Sequence, residues 1–262
     1  MDLLRDTLRH FDTMTMNLRR FPPLLIVGLS ILSGACQKDE DDPPAPTPTS
    51  VAVALKVEHH MDGVPLIFDT ILYTTAAEHA YSVSRLEYYL SEIILFGAGS
   101  TPNDTLRGPY YVNGSGTTSF TVGELPAAEY SGAALLLGLP QELNVTGGLP
   151  NTMENVNMAW PDPMGGGYHF IKFEGHFLDG ATATGFAMHV GNNTYLPHAA
   201  LGQSFTLDGR SGTLAIRFNL NELFRTPHTY DLSTGNYSMG DMMLMGQLRD
   251  NAFDAFTIEY RP

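Results

Sequence analysis

The sequence predicts an all-β fold, an antiparallel Greek-key β-sandwich of the immunoglobulin-like kind with a few short helices. Three observations predict it. Short alternating or apolar segments recur from residue 51 to residue 262, polar turn residues separate them, and the composition is rich in Gly, Pro, Tyr, Phe and Thr. These 212 residues suit one β domain of ordinary to large size.

The first predicted strand is VAVALKVEH (51–59), whose odd-numbered residues, from Val51 to His59, share one face. SRLEYYLSEIILF (84–96) fits a strand, or a short helix that leads into one. Only two segments have the pattern of helical turns, NLNELFRTP (219–227) and SMGDMMLMGQLRDNAF (238–253). The other strand-like segments are PYYVNG, TSFTVGELP, EYSGAALLLGLP, YHFIKFEGHFL, TGFAMHVG, QSFTLDG, TLAIRFNLNELF and AFTIEY.

Asp179-Gly180 is a strong hairpin signal between two of these strands. Taken as a two-residue turn, it pairs Leu178 with Ala181. Ile171 then lies opposite Met188, on an apolar face that suits a core.

The same register assigns the histidines of this hairpin to faces. His189 falls on the polar face with Glu174 and His176, whereas His169 falls on the apolar face beside the glycine run 165–167. His169 and His189 therefore lie near one end of the hairpin on opposite faces. A bulge of one residue near the glycines would change that assignment.

Residues 1–36 are interpreted as an export signal, with basic Arg19 and Arg20, a short apolar run and small residues before Cys36. Translation is expected to begin at Met16. A lone cysteine in this position resembles the lipidated cysteine of bacterial lipoproteins. The alternative is an ordinary signal peptide that happens to contain a cysteine.

Residues 37–50 form an acidic and proline-rich tether, QKDEDD followed by PPAPTPTS, and residues 51–262 form the domain. Acidic residues after a lipidated cysteine resemble a surface-export signal of some Gram-negative lipoproteins. The expected location is the cell envelope, with the chain lipid-anchored to the outer membrane, at the surface or else in the periplasm. Membrane contact is expected through the lipid alone.

Charge and motifs limit the function. Residues 1–35 hold four of the 14 basic and three of the 28 acidic side chains, so the rest carries 10 and 25, a net charge of −15. That balance disfavours nucleic acid and anionic lipid surfaces. After Cys36 no thiol remains for disulfides or thiolate metal sites. The chain has no GxSxG motif and no phosphate-binding loop, so no enzyme activity is expected.

Several residues are candidates for metal binding. The stretch 158–177 combines Trp160, the only tryptophan, with three glycines and two histidines. His59 ends an otherwise apolar strand face, where a buried packing histidine is the more common outcome. Met153 and Met158 are thioether candidates for cuprous copper, or gap-filling apolar side chains.

Four motifs together resemble the MbnP-like copper-binding domain, a family of periplasmic or surface proteins related to the methanobactin-associated protein. They are the H-x-x-D-G-x-P-L opening, YSVSRLEYYLS, the block from Trp160 through GY-x-F-x-K-x-EG, and the strand F-x-x-H-x-G. The likeness runs from about residue 53 to the C-terminus.

The resemblance implies a site and a chemistry. Trp160 matches a tryptophan that a partner dihaem peroxidase-like enzyme oxidises to kynurenine, and His59 and His189 match histidines that bind copper. We expect these two histidines to converge on one ion, with His169 as the additional ligand. His176 receives no role from the resemblance. The expected ion is Cu(I), since imidazoles hold it without thiolates.

The expected function is therefore copper binding for acquisition, storage or delivery to an outer-membrane transporter. Glu174 or Asp162 is expected to orient an imidazole through a hydrogen bond. Two alternatives remain open. One is a structural or adhesive surface module that has lost the metal, and the other is a carbohydrate- or peptide-binding lipoprotein whose tyrosines and Trp160 stack on the ligand.

Overall fold

The computed structural model describes residues 50–262. The first eight strands are β1 Ser50–Met61, β2 Val64–Pro65, β3 Tyr73–Thr74, β4 Ala80–Gly97, β5 Asp104–Leu106, β6 Tyr110–Asn113, β7 Ser119–Pro126 and β8 Glu129–Leu137. The later strands are β9 His169–Asp179, β10 Thr182–Gly191, β11 His198–Leu201, β12 Phe205–Thr206, β13 Gly212–Asn219 and β14 Phe256–Arg261. The helices are α1 Met153–Asn157 and α2 Met242–Asn251, with 3₁₀ turns at Asp162–Met164, Asn193–Tyr195 and Leu220–Phe224.

The strands form two sheets. The smaller sheet has the order β14-β13-β1-β2, and β7 also pairs with β1. The larger has the order β10-β9-β4-β8-β11, with β3, β5 and β6 also on β4 and β12 on β8. Every pair is antiparallel except β1 with β13. The predicted all-β sandwich is confirmed, with one parallel pair that the sequence does not indicate.

The alternation of β1 explains why one face of this strand is turned towards the core. Its odd-numbered residues from Val51 to His59 are all buried, whereas the even-numbered residues between them are half-buried or exposed. A strand whose side chains alternate in this way buries one face and leaves the other to polar groups. The predicted inward face of β1 is confirmed.

The segment 84–96 lies wholly within β4, so no helix precedes the strand. β4 bends at Glu92, a non-glycine residue with a φ of 46°, and its pairing with β8 shifts between Ser91 and Ile94. Both predicted helical stretches are helical in part, as the 3₁₀ turn 220–224 and as α2.

Aromatic rings fill much of the space between the sheets. Phe218 stacks on Phe256 with ring centroids 4.1 Å apart. Phe173 and Phe186 meet edge to face at 5.4 Å, and both contact the ring of Phe224. Such pairs add to the stabilisation that burial already supplies, by roughly 0.5–1.5 kcal/mol each.

From Ile171 to the turn, the β9–β10 hairpin has the predicted faces but a different register. Asp179 pairs with Thr182, so the turn residues are Gly180 and Ala181 instead of Asp179-Gly180. Gly180 has a φ of 61°, and glycine in the first central position is what a type II′ turn requires. The partners slip by two residues, and because side chains alternate with a period of two, the faces are unchanged.

The predictions for residues 1–36 and for most of the tether, including lipidation of Cys36, lie outside the described residues. Within residues 50–262 there is no helix that is both long and apolar enough to cross a membrane.

Candidate metal site

His169 and His189 meet where β9 begins and β10 ends. His189 lies opposite Lys172, but the register shifts after Val190, so that Gly191 lies opposite His169. The extra residue on β9 reverses the alternation and brings His169 to the face that carries His189. The two imidazole rings are nearly perpendicular, with centroids 5.0 Å apart.

His169 is buried and neutral. Its side chain is 5% exposed, and burial, followed by the charge of Lys172 and by His189, lowers its pKa to about 3. Nδ1 lies 3.1 Å from the carbonyl oxygen of Met158. Because a carbonyl only accepts, Nδ1 carries the single proton of the neutral ring. Nε2 is left with a free electron pair, which is what a metal ligand needs.

His189 is held from two directions. Its Nε2 lies 2.9 Å from Oε1 of Glu174. Its backbone amide donates to the hydroxyl of Ser238, which in turn donates to the carbonyl of His189, both at 2.7 Å. The hydrogen bond from His189 is the largest cause of a lowered pKa at Glu174, and Arg85 adds to it. The arrangement is the carboxylate–histidine pair that orients metal-ligating histidines in other proteins.

Trp160 covers the histidine pair from one side. Its ring centroid lies 4.7 Å from that of His169, and its Nε1 donates to the carbonyl of Met164 at 3.1 Å. The indole packs directly on Gly191, where a Cβ would lie 2.4 Å from Cε3 of the tryptophan. Glycine is therefore required at this position for the ring to approach the strand.

The glycine run 165–167 returns the chain to β9 after the tryptophan. All three residues have a positive φ, of 111°, 67° and 84°. The amide of Trp160 donates to the carbonyl of Gly167 at 2.9 Å, and the amide of His169 donates to the carbonyl of Met158 at 2.7 Å. Glycine adopts a positive φ with little steric strain. The glycine run therefore lets the backbone turn so that the indole lies over His169.

The structure corrects the expected convergence of His59 and His189. The Nε2 of His59 lies 2.7 Å from the hydroxyl of Tyr88, on the inner side of the larger sheet. Tyr88 pairs with Ile171, whose side chain points to the face opposite that of Lys172 and its partner His189. The sheet therefore separates the two histidines, because the alternation of β1 points His59 into the core.

The pair that does meet is His169 with His189, and metal binding by any of these histidines stays a prediction. His176 is exposed further along β9. Met153 is 86% exposed, and Met158 is fully buried and offers its carbonyl to His169.

Of the two expected orienting carboxylates, Glu174 contacts His189 and Asp162 instead accepts from Thr146. Sequence reasoning missed Ser238, which lies 49 residues from His189 and carries no local signal of that contact.

Charged side chains surround the pair on its open side. Arg85 lies 3.4 Å from Glu174 and 2.9 Å from Glu87. The ammonium of Lys172 donates to the carbonyl of Asn157, whose side chain also bonds Glu87. Across residues 50–262, no group of three or more His, Cys, Asp or Glu side chains is placed to hold a metal ion.

Comparison with known proteins identifies relatives of this chain. The family profile MbnP matches residues 50–243. The solved structure of MbnP from Methylosinus trichosporium is similar, with a TM-score of 0.50 and 14% sequence identity, over 81% of this chain and 99% of that one. At that identity the likeness establishes the fold alone. A search among curated proteins found no match.

Proposed function

The chain belongs to the MbnP family, and on that premise we propose that it binds copper, as Cu(I), between His169 and His189 beside Trp160. The observation that carries the proposal is the state of the two rings. Each has one nitrogen committed to an acceptor, the carbonyl of Met158 or the carboxylate of Glu174. The neutral ring of His169 therefore keeps Nε2 with a free electron pair, and in the metal-binding form of His189 the nitrogen turned away from Glu174, Nδ1, is the one that supplies a pair.

The spacing of the rings supports a shared ion. A metal–nitrogen bond is about 2 Å long, so two nitrogens on one ion lie within roughly 4 Å of each other. Ring centroids 5.0 Å apart are compatible with that requirement. The shared site requires rotamer adjustments of the two side chains that bring the free nitrogens within this distance.

The donor set favours a soft ion of low charge. Two imidazoles are available, and the carboxylates on the same side of the sheet, Glu87 and Glu174, are already paired with Arg85. A divalent ion at this place would therefore find no unpaired carboxylate to neutralise its charge. Imidazole suits copper, and Cu(I) needs few ligands.

Trp160 is proposed to be the residue that a dihaem peroxidase-like partner oxidises to kynurenine. Support comes from its position, since its ring is the aromatic neighbour of His169 and is fixed at both its nitrogen and its face. Mass spectrometry of the peptide that contains Trp160, on protein from its native host, tests this. An unmodified tryptophan in every copy of the protein contradicts it.

The proposed role is copper acquisition, storage or delivery by a binding protein that is not an enzyme. The proposed location is the outer membrane, through lipid on Cys36, at the cell surface or else facing the periplasm, with an outer-membrane transporter as a partner. Replacing Cys36 with Ser should release the protein into the soluble fraction. Retention on the membrane in that variant would contradict anchoring through the cysteine.

A carbohydrate- or peptide-binding role is the second candidate. A cleft of about 610 Å³ is lined by Tyr89, Tyr110, Tyr111 and Phe120, rings of the kind on which sugars stack. Trp160 is 3% exposed, however, and offers no free face for stacking. A glycan array with wild type and Tyr111→Ala tests this role independently of copper.

The test of copper binding is an anaerobic Cu(I) competition titration on wild type, His169→Ala and His189→Ala. His176→Ala is the matched control, since His176 lies on the same strand as His169 and is exposed. We expect the two site variants to lose tight binding and the control to keep it. Full affinity in His189→Ala would make this histidine a packing residue and would favour the structural module without metal.

A further inference from the structure

Methionines cluster in the segment that is hydrogen-bonded to β10 at His189. The segment SMGDMMLMG (238–246) holds four of the twelve methionines of the chain within nine residues. Only one of the four, Met245, is in the core, where it is 4% exposed. The others, Met239, Met242 and Met243, precede or begin α2.

This segment lies directly against β10 at His189. The amide of Ala187 donates to the carbonyl of Asn236 at 2.8 Å, and the amide of Ser238 donates back to Ala187 at 3.2 Å. The hydroxyl of Ser238 then bonds both backbone groups of His189. Met239 is therefore the residue directly after Ser238, which is hydrogen-bonded to the backbone of the candidate ligand His189.

Met164 links the segment to Trp160. The indole nitrogen of Trp160 donates to the carbonyl of Met164. The methyl end of the Met164 side chain rests against Gly240, where a Cβ would lie 3.2 Å from Cε. The tryptophan turn and the methionine segment thus contact each other through a thioether side chain beside the histidine pair.

Packing does not account for the exposed members of this group. Met242 is 72% exposed and Met243 is 66% exposed, although methionine is usually a buried residue. The neighbouring Asp241 accepts hydrogen bonds from the amides of Met243 and Leu244 and so serves as the helix cap. The exposed side chains of Met242 and Met243 carry thioether sulfurs, which are soft ligands that select Cu(I).

We propose that Met164, Met239, Met242 and Met243, here called the methionine rim, form a second and weaker site for a soft monovalent cation, Cu(I), at the entrance to the histidine pair. The rim collects the ion at the surface and passes it to His169 and His189. The passing step depends on the proposed function, whereas binding of the ion by the thioethers does not.

Silver(I) is a suitable probe, because it is soft, monovalent and stable in air. The full chain carries Cys36→Ser, so that the thiol does not take up silver, and its methionines carry ¹³C-labelled methyl groups. In the background His169→Ala/His189→Ala, we expect Ag(I) to shift the methyl signals of the four rim methionines at concentrations that leave Met153 unchanged. Met153 is the matched control, since it is exposed on α1 and outside the rim.

A second variant, with all four rim methionines replaced by leucine, keeps side-chain volume and fold. This variant should lose the weakly bound Cu(I) ion at the rim, while the histidine pair keeps its tightly bound Cu(I) ion. Rim signals that do not move, or that move only together with Met153, would overturn the proposal. Rim signals that move in a wild-type chain without tight Cu(I) binding would instead contradict the proposed function and leave the rim site standing.

Discussion

The buried histidines His59 and His169 lie on opposite faces of the larger sheet. They are buried to a similar degree but differ in the groups that surround them. His59 and His169 are both almost inaccessible, and burial lowers the pKa of both, to about 4 and about 3. His59 meets a tyrosine hydroxyl inside the core, whereas His169 meets a second imidazole and an indole. A neutral buried histidine becomes a candidate ligand only when another donor is within reach.

The largest expected effect is the loss of Cu(I) affinity when one histidine of the pair His169 and His189 is removed. Without His189, a single imidazole remains to hold the ion, so the Cu(I) affinity should fall by more than roughly 100-fold, beyond what loss of an orienting group costs. Competition titration measures this, with His59→Phe as the comparison variant. Comparable losses of affinity in the two variants would end the distinction between the two environments.

His59→Ala should lower the stability of the fold and leave the Cu(I) affinity nearly unchanged. Removing the ring leaves a cavity and leaves the buried hydroxyl of Tyr88 without its partner, so we expect the free energy of unfolding to fall by about 2–4 kcal/mol. Urea unfolding monitored by tyrosine fluorescence measures the change. Cu(I) affinity should stay within a few-fold of wild type in the fraction that remains folded.

Gly191→Ala tests the contact between Trp160 and the strand. A Cβ at this position would lie 2.4 Å from the indole, so the tryptophan must move away from the strand. Overpacking of this kind costs typically 1–3 kcal/mol of stability. Gly202→Ala is the control, because a Cβ there meets nothing within 4 Å. Equal stability of the two variants would show that the indole does not depend on this glycine.

Glu174→Ala should weaken copper binding without destroying the site. The carboxylate bonds Nε2 of His189, and loss of such an orienting partner typically costs 10–100-fold in metal affinity. Glu174→Gln keeps an acceptor for the ring and should lose less. An alanine variant with unchanged Cu(I) affinity would show that His189 needs no orientation from this residue.

The pH dependence of folding tests the buried neutral state of His59. His59 has a lowered pKa of about 4 in the folded chain, so the unfolded chain binds its proton first as the pH falls below 6.5. The contribution of His59 to stability is therefore complete above pH 6.5 and is lost between about pH 6.5 and 4. His59→Phe should lose less stability than wild type over that interval in urea unfolding. An unchanged slope would contradict the buried neutral state.

Strand alternation was enough to predict most of the fold around these sites. The period of two in β1 points His59 inward, and the same period assigned Ile171 and His189 to the correct faces even though the hairpin partners slipped by two residues. The alternation of side chains decides which face of a strand is buried. An error of two residues in the register leaves that assignment unchanged.

The meeting of His169 with His189 could not be predicted in the same way. It depends on the bulge opposite Gly191, and that glycine is the surface on which Trp160 packs. It depends also on Ser238, which reaches β10 from a distant part of the chain. Contacts between residues far apart in sequence leave no periodic signal, although the unusual glycine run did indicate that the strand begins irregularly.

The most direct test of the account is the position of the copper ion itself. A crystal of the Cu(I)-loaded protein, measured on both sides of the copper absorption edge, locates the ion by anomalous scattering. We expect one strong peak between His169 and His189, beside Trp160 on the outer face of the larger sheet. A peak at His59 between the sheets, or no peak at the histidine pair in fully loaded protein, would contradict it.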